Sequence, residues 1–275
     1  ENVDLLVGTI NSGASLAISD GVAKAEKVPF IVWTAKDEKI TGELGHRYVF
    51  STAENTAMAG KAGGVGLAKK PYKKYWIAGD DYEYGHSIAD NVWNNLKILK
   101  PDVQLLGQSW WKVGEPDFTP YITAILSAKP DAVIIATGGA SCVPFLKAAA
   151  ATGFNTSVPF FMHTATEMST LAPLGLNAPE GVLGTSNYYY YYPDTPENKA
   201  FVKEFKDAFG RLPKVGALYG YITANFIAKA YEKAGAKDRA DKERAELAIL
   251  TEYLPPEMGE AELEKIVSEV IVQTG

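Results

Sequence analysis

Residues 74–137 carry the alternation that decides the fold, beginning with the strand-like run Lys74-Tyr75-Trp76-Ile77-Ala78-Gly79. The run is followed by a helical pattern over residues 87–99, a strand over 103–109, a helix over 118–128 and a strand over 131–137. Parallel strands need a long crossover connection, which is usually a helix, so this order predicts parallel βαβ units. The sequence therefore predicts an α/β fold with a doubly wound parallel sheet.

The same alternation extends outward on both sides of this segment. Further strands are predicted at residues 3–7, 28–33, 158–162 and 181–184, and further helices at 57–69, 143–151, 197–209 and 221–234. Loops 8–15 and 137–141 follow predicted strands and are rich in small and hydroxyl residues. Ligands of doubly wound sheets bind at such strand ends, where backbone N–H groups favour anions such as carboxylates. Ordinary tight turns remain an equal alternative, because they need small residues too.

Composition narrows the class of protein. The 275 residues are 47% hydrophobic and 22% charged, with a net charge of −6, which is typical of a globular protein. A single cysteine, Cys142, excludes an internal disulfide and a multi-thiolate zinc site. The mild acidity gives no indication of nucleic-acid binding. The opening Glu1-Asn2-Val3-Asp4 lacks a basic start and an apolar core, so no signal peptide is predicted in this chain.

Catalytic and metal-binding patterns are weak. Ser141 lacks the following glycine of a nucleophile elbow, and Gly60-Lys61 lacks the rest of a phosphate loop. No metal-ligand spacing relates the three histidines His46, His86 and His163. Asp80, Asp81 and Glu83 follow a strand and admit a metal or acid–base site, but a solvated turn is the favoured interpretation. The sequence therefore predicts no catalytic residue, metal or cofactor.

Several motifs, taken in order, resemble a known family. They are Val3-Asp4-Leu5-Leu6-Val7-Gly8, Ser12, Val28-Pro29-Phe30-Ile31, Tyr84-Gly85, Pro130-Asp131-Ala132-Val133 and Glu180-Gly181-Val182. This order resembles the type I periplasmic solute-binding proteins, in the Leu/Ile/Val-binding-like branch that serves branched-chain amino-acid and amide ABC transporters. The resemblance covers about residues 1–236.

The resemblance implies two α/β lobes with Rossmann-like parallel sheets, which trap a ligand by hinge closure. It assigns residues 1–52 and 217–236 to the first lobe and 53–216 to the second lobe. The family's usual strand–helix–strand–helix segment does not precede Val3, so the first lobe is expected to be incomplete.

The resemblance also suggests binding residues. In the first lobe, Ser12 with Gly13 and Thr34 with Ala35 match the loops that hold a ligand carboxylate. The candidates in the second lobe, for the ammonium and the side chain, are Tyr84, Ala140, Ser141, Glu167 and Tyr188. Among these, Glu167 is the hypothetical partner of an ammonium group. The run of five tyrosines at 188–192 cannot lie wholly on one face of a strand, so some must line a cleft or the surface.

The last segment, residues 237–275, differs from the rest because its sequence pattern predicts a helical hairpin and no strand. Lys242-Glu243-Arg244-Ala245-Glu246-Leu247 and Tyr253-Leu254-Pro255 are similar to the helical domain of YqeY-like proteins and of the amidotransferase B subunit. This second resemblance leaves two alternatives open: an interaction module linked to tRNA-dependent amidation, or a non-functional chimera or fragment.

The first resemblance implies a non-enzymatic solute-binding protein. Its expected ligand is an amino acid or a related small carboxylate, and its expected partner is the membrane permease of an ABC transporter. The implied location is periplasmic or extracellular, with membrane association through the transporter. An aromatic ligand is a further option, because Trp33 and the tyrosine run offer aromatic surface, and Lys36 offers a charge for an anion.

Overall fold

The computed structural model describes residues 3–234. Residues Leu5–Thr223 form one compact unit. The other unit consists of Glu1–Asp4 and Ala224–Gly275, and its described part is residues 3–4 and the C-terminal half of one helix. The predicted helical hairpin at 237–275 lies outside the described residues. The last two residues that were assigned to the first lobe, 235 and 236, lie outside them too.

Between residues 56 and 151, strands and α-helices alternate along the chain as predicted. The strands are β1 (Leu6–Gly8), β2 (Phe30–Val32), β3 (Val49–Ser51), β4 (Lys74–Asp80), β5 (Gln104–Trp111), β6 (Ala132–Ala136) and β7 (Phe160–Met162). The helices are α1 (Ser12–Ile18), α2 (Thr56–Ala68), α3 (Glu83–Leu99), α4 (Thr119–Ala128), α5 (Cys142–Ala151), α6 (Phe154–Ser157), α7 (Met168–Leu174), α8 (Pro196–Phe209) and α9 (Val215–Ala234).

The strands form two sheets in which every pairing is parallel. The first sheet has the order β1-β2-β3, and the second has the order β5-β4-β6-β7. The predicted α/β class with parallel sheets is therefore confirmed. The division of the chain at residues 52/53 and 216/217 stays a prediction.

Burial explains which strands were easy to predict. Every residue of β6 is buried, because helices cover both faces of the second sheet at this central strand, and β6 therefore reads as a continuous apolar run. In contrast, β3 was not predicted. It has three residues and follows a polar stretch, so neither its length nor its periodicity distinguishes it from a loop.

Two predictions in the C-terminal half had different outcomes. The predicted strand at 181–184 is wrong, because only a single parallel bridge forms there, between Leu183 and Phe161. The prediction that some of the five tyrosines lie at a cleft or at the surface is confirmed. Tyr188 is 5% exposed, whereas Tyr191 and Tyr192 are 62% and 68% exposed. Within residues 3–234, no helix combines the length and the apolar character that a membrane crossing needs.

Helices α2 and α3 pack closely through glycines. A Cβ added at Gly60 would lie 2.3 Å from the Cβ of Asn91, and one at Gly64 would lie 2.7 Å from the Cβ of Asn95. Both distances are too short for van der Waals contact, so the helix spacing depends on these glycines. Gly66 is on the same helix but has no atom within 4 Å of such a Cβ.

We predict opposite effects from alanine at two positions of α2. Gly60→Ala should destabilise the protein by about 1–3 kcal/mol, because the helices must move apart. Gly66→Ala should stabilise it by about 0.5–1 kcal/mol, because alanine has the higher helix propensity and nothing obstructs it. Urea denaturation followed by circular dichroism measures both changes. Equal effects from the two substitutions would contradict the packing argument.

Candidate functional site

A cleft of about 420 Å³ opens between the carboxyl ends of the two sheets. The residues that line it lie in loops after β1, β2, β4, β5, β6 and β7 and on the first turns of α3, α5, α7 and α9. They are Ile10, Asn11, Trp33, Thr34, Lys36, Tyr82, Tyr84, Val113, Gly138, Gly139, Ala140, Cys142, Val143, Thr164, Glu167, Ser169, Thr170, Val215, Gly216 and Tyr219. This is where doubly wound sheets bind ligands.

The carboxylate of Asp80 joins three strand ends below the cleft. Asp80 is fully buried and accepts a hydrogen bond from the indole N–H of Trp111, at 3.0 Å, at the end of β5. Its other oxygen accepts from the hydroxyl of Thr137 and, at 3.1 Å, from the backbone N–H of Gly138, just after β6. These bonds hold the glycine-rich loop of the cleft wall against β4.

The interpretation of the acidic turn as solvated is therefore wrong for Asp80. The strand pairing places β5 and β6 on either side of β4, so its last side chain meets donors from both neighbours. Asp81 does face solvent, and its carboxylate pairs with the exposed imidazole of His86 at 2.7 Å. Among residues 3–234, no group of three or more His, Cys, Asp or Glu side chains is arranged to hold a metal ion.

Glu167 places a buried carboxyl group on the cleft wall. It is 5% exposed and accepts hydrogen bonds from the Asn187 amide at 2.9 Å and the Ser169 hydroxyl at 3.2 Å. Burial raises the pKa of this carboxyl, while Lys36 and the two hydrogen bonds oppose the rise. Glu167 has no ion-pair partner within 4.0 Å among the described residues, so it offers a negative site to a cationic group.

Aromatic rings make up much of the remaining wall. Trp33, Tyr82, Tyr84 and Tyr219 all line the cleft. The Tyr84 ring lies against Gly138, where an added Cβ would be 2.7 Å from a ring carbon. Its hydroxyl is buried and has no hydrogen-bond partner among the described residues, and burial raises the pKa of Tyr84 well above its ordinary value. Such a hydroxyl is suited to a polar group on a ligand.

Four of the predicted site residues line the cleft. Thr34 lies after β2, Tyr84 at the start of α3, Ala140 in the loop after β6, and Glu167 at the N-terminus of α7. They come from loops far apart in the sequence, and the two sheets bring them to one cavity. Their contact with a ligand stays a prediction.

The other five predicted residues lie off the cleft wall. The Ser12 hydroxyl accepts the Asp37 backbone N–H at 3.2 Å, and the Ala35 N–H donates to the Thr9 carbonyl at 2.9 Å. A Cβ on Gly13 would meet the Glu83 carboxylate at 2.7 Å.

In the second-sheet half, Ser141 is buried and its hydroxyl accepts the Gly114 N–H at 3.4 Å. The Tyr188 hydroxyl donates to the Asn198 side chain at 3.0 Å, below the surface. Their roles as ligand contacts, like those of Ser12, Gly13 and Ala35, stay predictions.

The sequence reasoning missed several residues that shape the cleft. Tyr82 and Thr164 follow predicted strands, so the strand-end rule alone would have included them. Tyr219 and Glu54 have no such signal. Tyr219 lies on the first turns of α9, before the predicted helix start at residue 221, and Glu54 follows the unpredicted strand β3.

His163 and Cys142 are buried groups close to the cleft. Burial raises the pKa of the Cys142 thiol to about 12, and its sulfur lies 3.2 Å from the Thr164 hydroxyl. Burial also lowers the pKa of His163 to about 3, with a smaller contribution from Lys36. The Nδ1 atom of His163 contacts the Thr185 hydroxyl, and its Nε2 atom is buried without a partner among the described residues. Cys142 is thus a thiol and His163 a neutral imidazole at pH 7.

Comparisons with known proteins agree with this architecture. A family model described as "Periplasmic binding protein" matches residues 1–253. The Leu/Ile/Val-binding protein homolog 6 of Brucella melitensis biotype 1 is 27% identical over 254 residues. The match takes in 88% of this chain and 62% of that protein, so the chain spans less than two thirds of the curated relative's length.

Solved structures share the fold. A solute binding protein of an ABC transporter from R. palustris, in complex with benzoate, superposes with a TM-score of 0.80 at 25% identity, over 90% of this chain and 66% of its own. A leucine binding protein from Thermotoga maritima superposes with a TM-score of 0.75 at 24% identity, over 89% and 68%. Because the family match continues to residue 253, it gives no support to a change of family at residue 241.

We predict that Asp80→Asn destabilises the protein by about 2–3 kcal/mol. The amide has one acceptor oxygen for donors that converge from two strands, so at least one buried donor loses its partner. The neighbouring Asp81→Asn is the matched control. It removes only an exposed contact between a carboxylate and an imidazole, and such contacts contribute about 0–1 kcal/mol. Chemical denaturation measures both values, and equal losses would contradict the role assigned to Asp80.

We also predict a pH effect from His163. The native imidazole stays neutral down to a pKa of about 3, whereas in the unfolded chain it takes up a proton near pH 6.5. Stability must therefore fall as the pH falls below about 6.5, by about 1.4 kcal/mol per pH unit from this group. Glu167, whose native pKa is raised, acts in the opposite direction.

Comparison with a variant isolates the histidine. In His163→Gln the slope of unfolding free energy against pH, between about pH 6 and 4.5, should be smaller by roughly 1.4 kcal/mol per pH unit. The contribution of Glu167 is common to both proteins and cancels. Coincident slopes for the two proteins would rule out a buried, neutral His163.

Proposed function

The chain belongs to the periplasmic binding protein family, and we propose that it captures an amino acid or a related small carboxylate in the cleft between its two sheets. It then presents the ligand to the membrane permease of an ABC transporter, in the periplasm or outside the cell. The chain binds its ligand without chemical change. The cleft, which opens where parallel strands end, supports this proposal.

The buried carboxyl of Glu167 is the observation that favours an amino acid. A carboxylate that is removed from water and lacks a cationic partner has a high desolvation cost, and an ammonium group of a ligand would offset it. The ligand's own carboxylate would then meet the first-sheet side of the cleft, where Thr34 offers a hydroxyl. The leucine binding protein of Thermotoga maritima lends further support to this ligand class.

A benzoate-type aromatic carboxylate is the second candidate. The four aromatic rings Trp33, Tyr82, Tyr84 and Tyr219 favour it, because aromatic rings pack favourably against one another. The R. palustris relative, whose structure contains benzoate, supports the same class. Against it, benzoate has no cation for Glu167.

Isothermal titration of the full 275-residue chain with L-leucine and with benzoate tests the proposal. Leucine is expected to bind more tightly than benzoate. Binding of benzoate alone would replace the amino-acid proposal with the second candidate. Binding of neither compound, nor of any other amino acid in a panel of the twenty, would overturn both.

We predict that Glu167→Gln loses leucine affinity by about 10-fold or more, because a hydrogen bond between charged groups contributes about 1.5–3 kcal/mol. Glutamine has nearly the same shape, so the cleft should keep its form. Glu180→Gln, at an exposed position outside the cleft lining, is the control and should bind leucine as the wild type does. Full leucine affinity in Glu167→Gln would remove this residue as the ammonium partner.

A further inference from the structure

Lys36 and Glu54 form an ion pair at the edge of the cleft. The ammonium of Lys36 lies 2.5 Å from Oε1 of Glu54, and the side chains are 11% and 21% exposed. Lys36 is among the residues that line the cleft, whereas Glu54 is not. Glu54 therefore acts on the cleft indirectly, through the lining residues that it contacts.

Tyr219 completes this arrangement, here called the Lys36 cluster (Lys36, Glu54 and Tyr219). The phenol donates a hydrogen bond to Oε2 of Glu54 at 2.5 Å, and the Lys36 ammonium lies 5.4 Å from the centre of the Tyr219 ring. Both oxygens of Glu54 are thus engaged, one by a cation and one by a hydroxyl. The three groups come from the loop after β2, the loop after β3 and the first turns of α9, so the ion pair forms in the absence of a ligand.

The charges of the cleft lining follow from this cluster. Among the described lining residues, Lys36 has the one positive side chain and Glu167 the one carboxyl group. The negative charge of Glu54 lies directly behind Lys36 and cancels it at short range. The charge that remains available to a ligand is the negative charge of the Glu167 carboxylate.

We propose that Glu54 determines the charge class of the ligand: by neutralising Lys36 it makes the cleft reject molecules with an unbalanced negative charge and accept zwitterions. This inference rests on the proposed function, since it takes the cleft as the ligand site. An amino acid has an ammonium for Glu167 and no net charge. Benzoate would bring a second negative charge, beside that of Glu167, into a cleft whose lysine is already paired with Glu54. Like charges at short range disfavour binding.

Glu54→Gln tests the inference directly. The substitution frees the Lys36 ammonium, whose donors then need an acceptor that a carboxylate ligand supplies. The ratio of benzoate affinity to leucine affinity, measured by isothermal titration of the full chain, is expected to rise at least about 10-fold. Glu54→Asp keeps the negative charge and should leave this ratio close to that of the wild type.

Glu167→Gln is the matched variant, because it also removes one negative charge from the cleft. It should change the ratio by lowering leucine affinity, whereas Glu54→Gln should change it by raising benzoate affinity. A merely structural loss at Glu54 would lower both affinities together. A rise in benzoate affinity of less than about twofold in Glu54→Gln overturns the inference.

The double variant Lys36→Gln with Glu54→Gln decides the matter if Glu54→Gln alone does not fold. It removes both charges of the pair, so neither position leaves a buried charge without its partner. Its affinity ratio should stay within about threefold of the wild type, and a change beyond about 10-fold overturns the inference. Failure of the wild type to bind leucine would overturn the proposed function, whereas the inference is judged by the difference between variants in benzoate affinity.

Discussion

The buried carboxylate of Asp80 is the constraint on which the cleft depends. A charge removed from water is tolerated only when hydrogen bonds replace its hydration, and here the donors come from the ends of β5 and β6. Satisfying Asp80 therefore requires three neighbouring strands to end at the same level. The loop that begins at Gly138 starts at that level, and this loop forms one wall of the cleft.

Glycines allow the close packing that the cleft wall and the neighbouring helices need. The ring of Tyr84 can lie on the cleft wall because Gly138 has no side chain, and α2 can approach α3 because Gly60 and Gly64 have none. Close approach at these positions leaves little space for adjustment, since protein interiors are densely packed. The second sheet and its helices thus form a rigid support for the residues that line the cleft.

The cleft combines a buried acid with a lysine whose charge is already balanced. Glu167 and Lys36 both line the cavity. Among the described residues, Lys36 has an oppositely charged partner, Glu54, and Glu167 has none. A binding protein selects between ligands as much by leaving unfavourable charges unpaired as by forming new contacts. The contrast between these two side chains carries our proposal that the cleft prefers a zwitterion to an aromatic anion, although the aromatic walls suit either.

Local pattern was sufficient for most of the architecture. Long elements such as β4, β6 and α3 were predicted because their burial imposes apolar runs or helical periodicity on the sequence. The resemblance to a family supplied the candidate residues, of which Thr34, Tyr84, Ala140 and Glu167 line the cleft. Ser12 and Ala35 belong to the matching loops but lie off the cleft wall.

The sequence by itself determined the α/β class, the parallel strands and the level at which a ligand site belongs, because periodicity and strand–helix order are local properties. Only the tertiary structure decided which charges meet. Glu54 lies 18 residues from Lys36 and 165 from Tyr219 along the chain, and no spacing rule relates them. The partners of a charged side chain depend on which chain segments the sheets bring together, and that information is absent from any single segment.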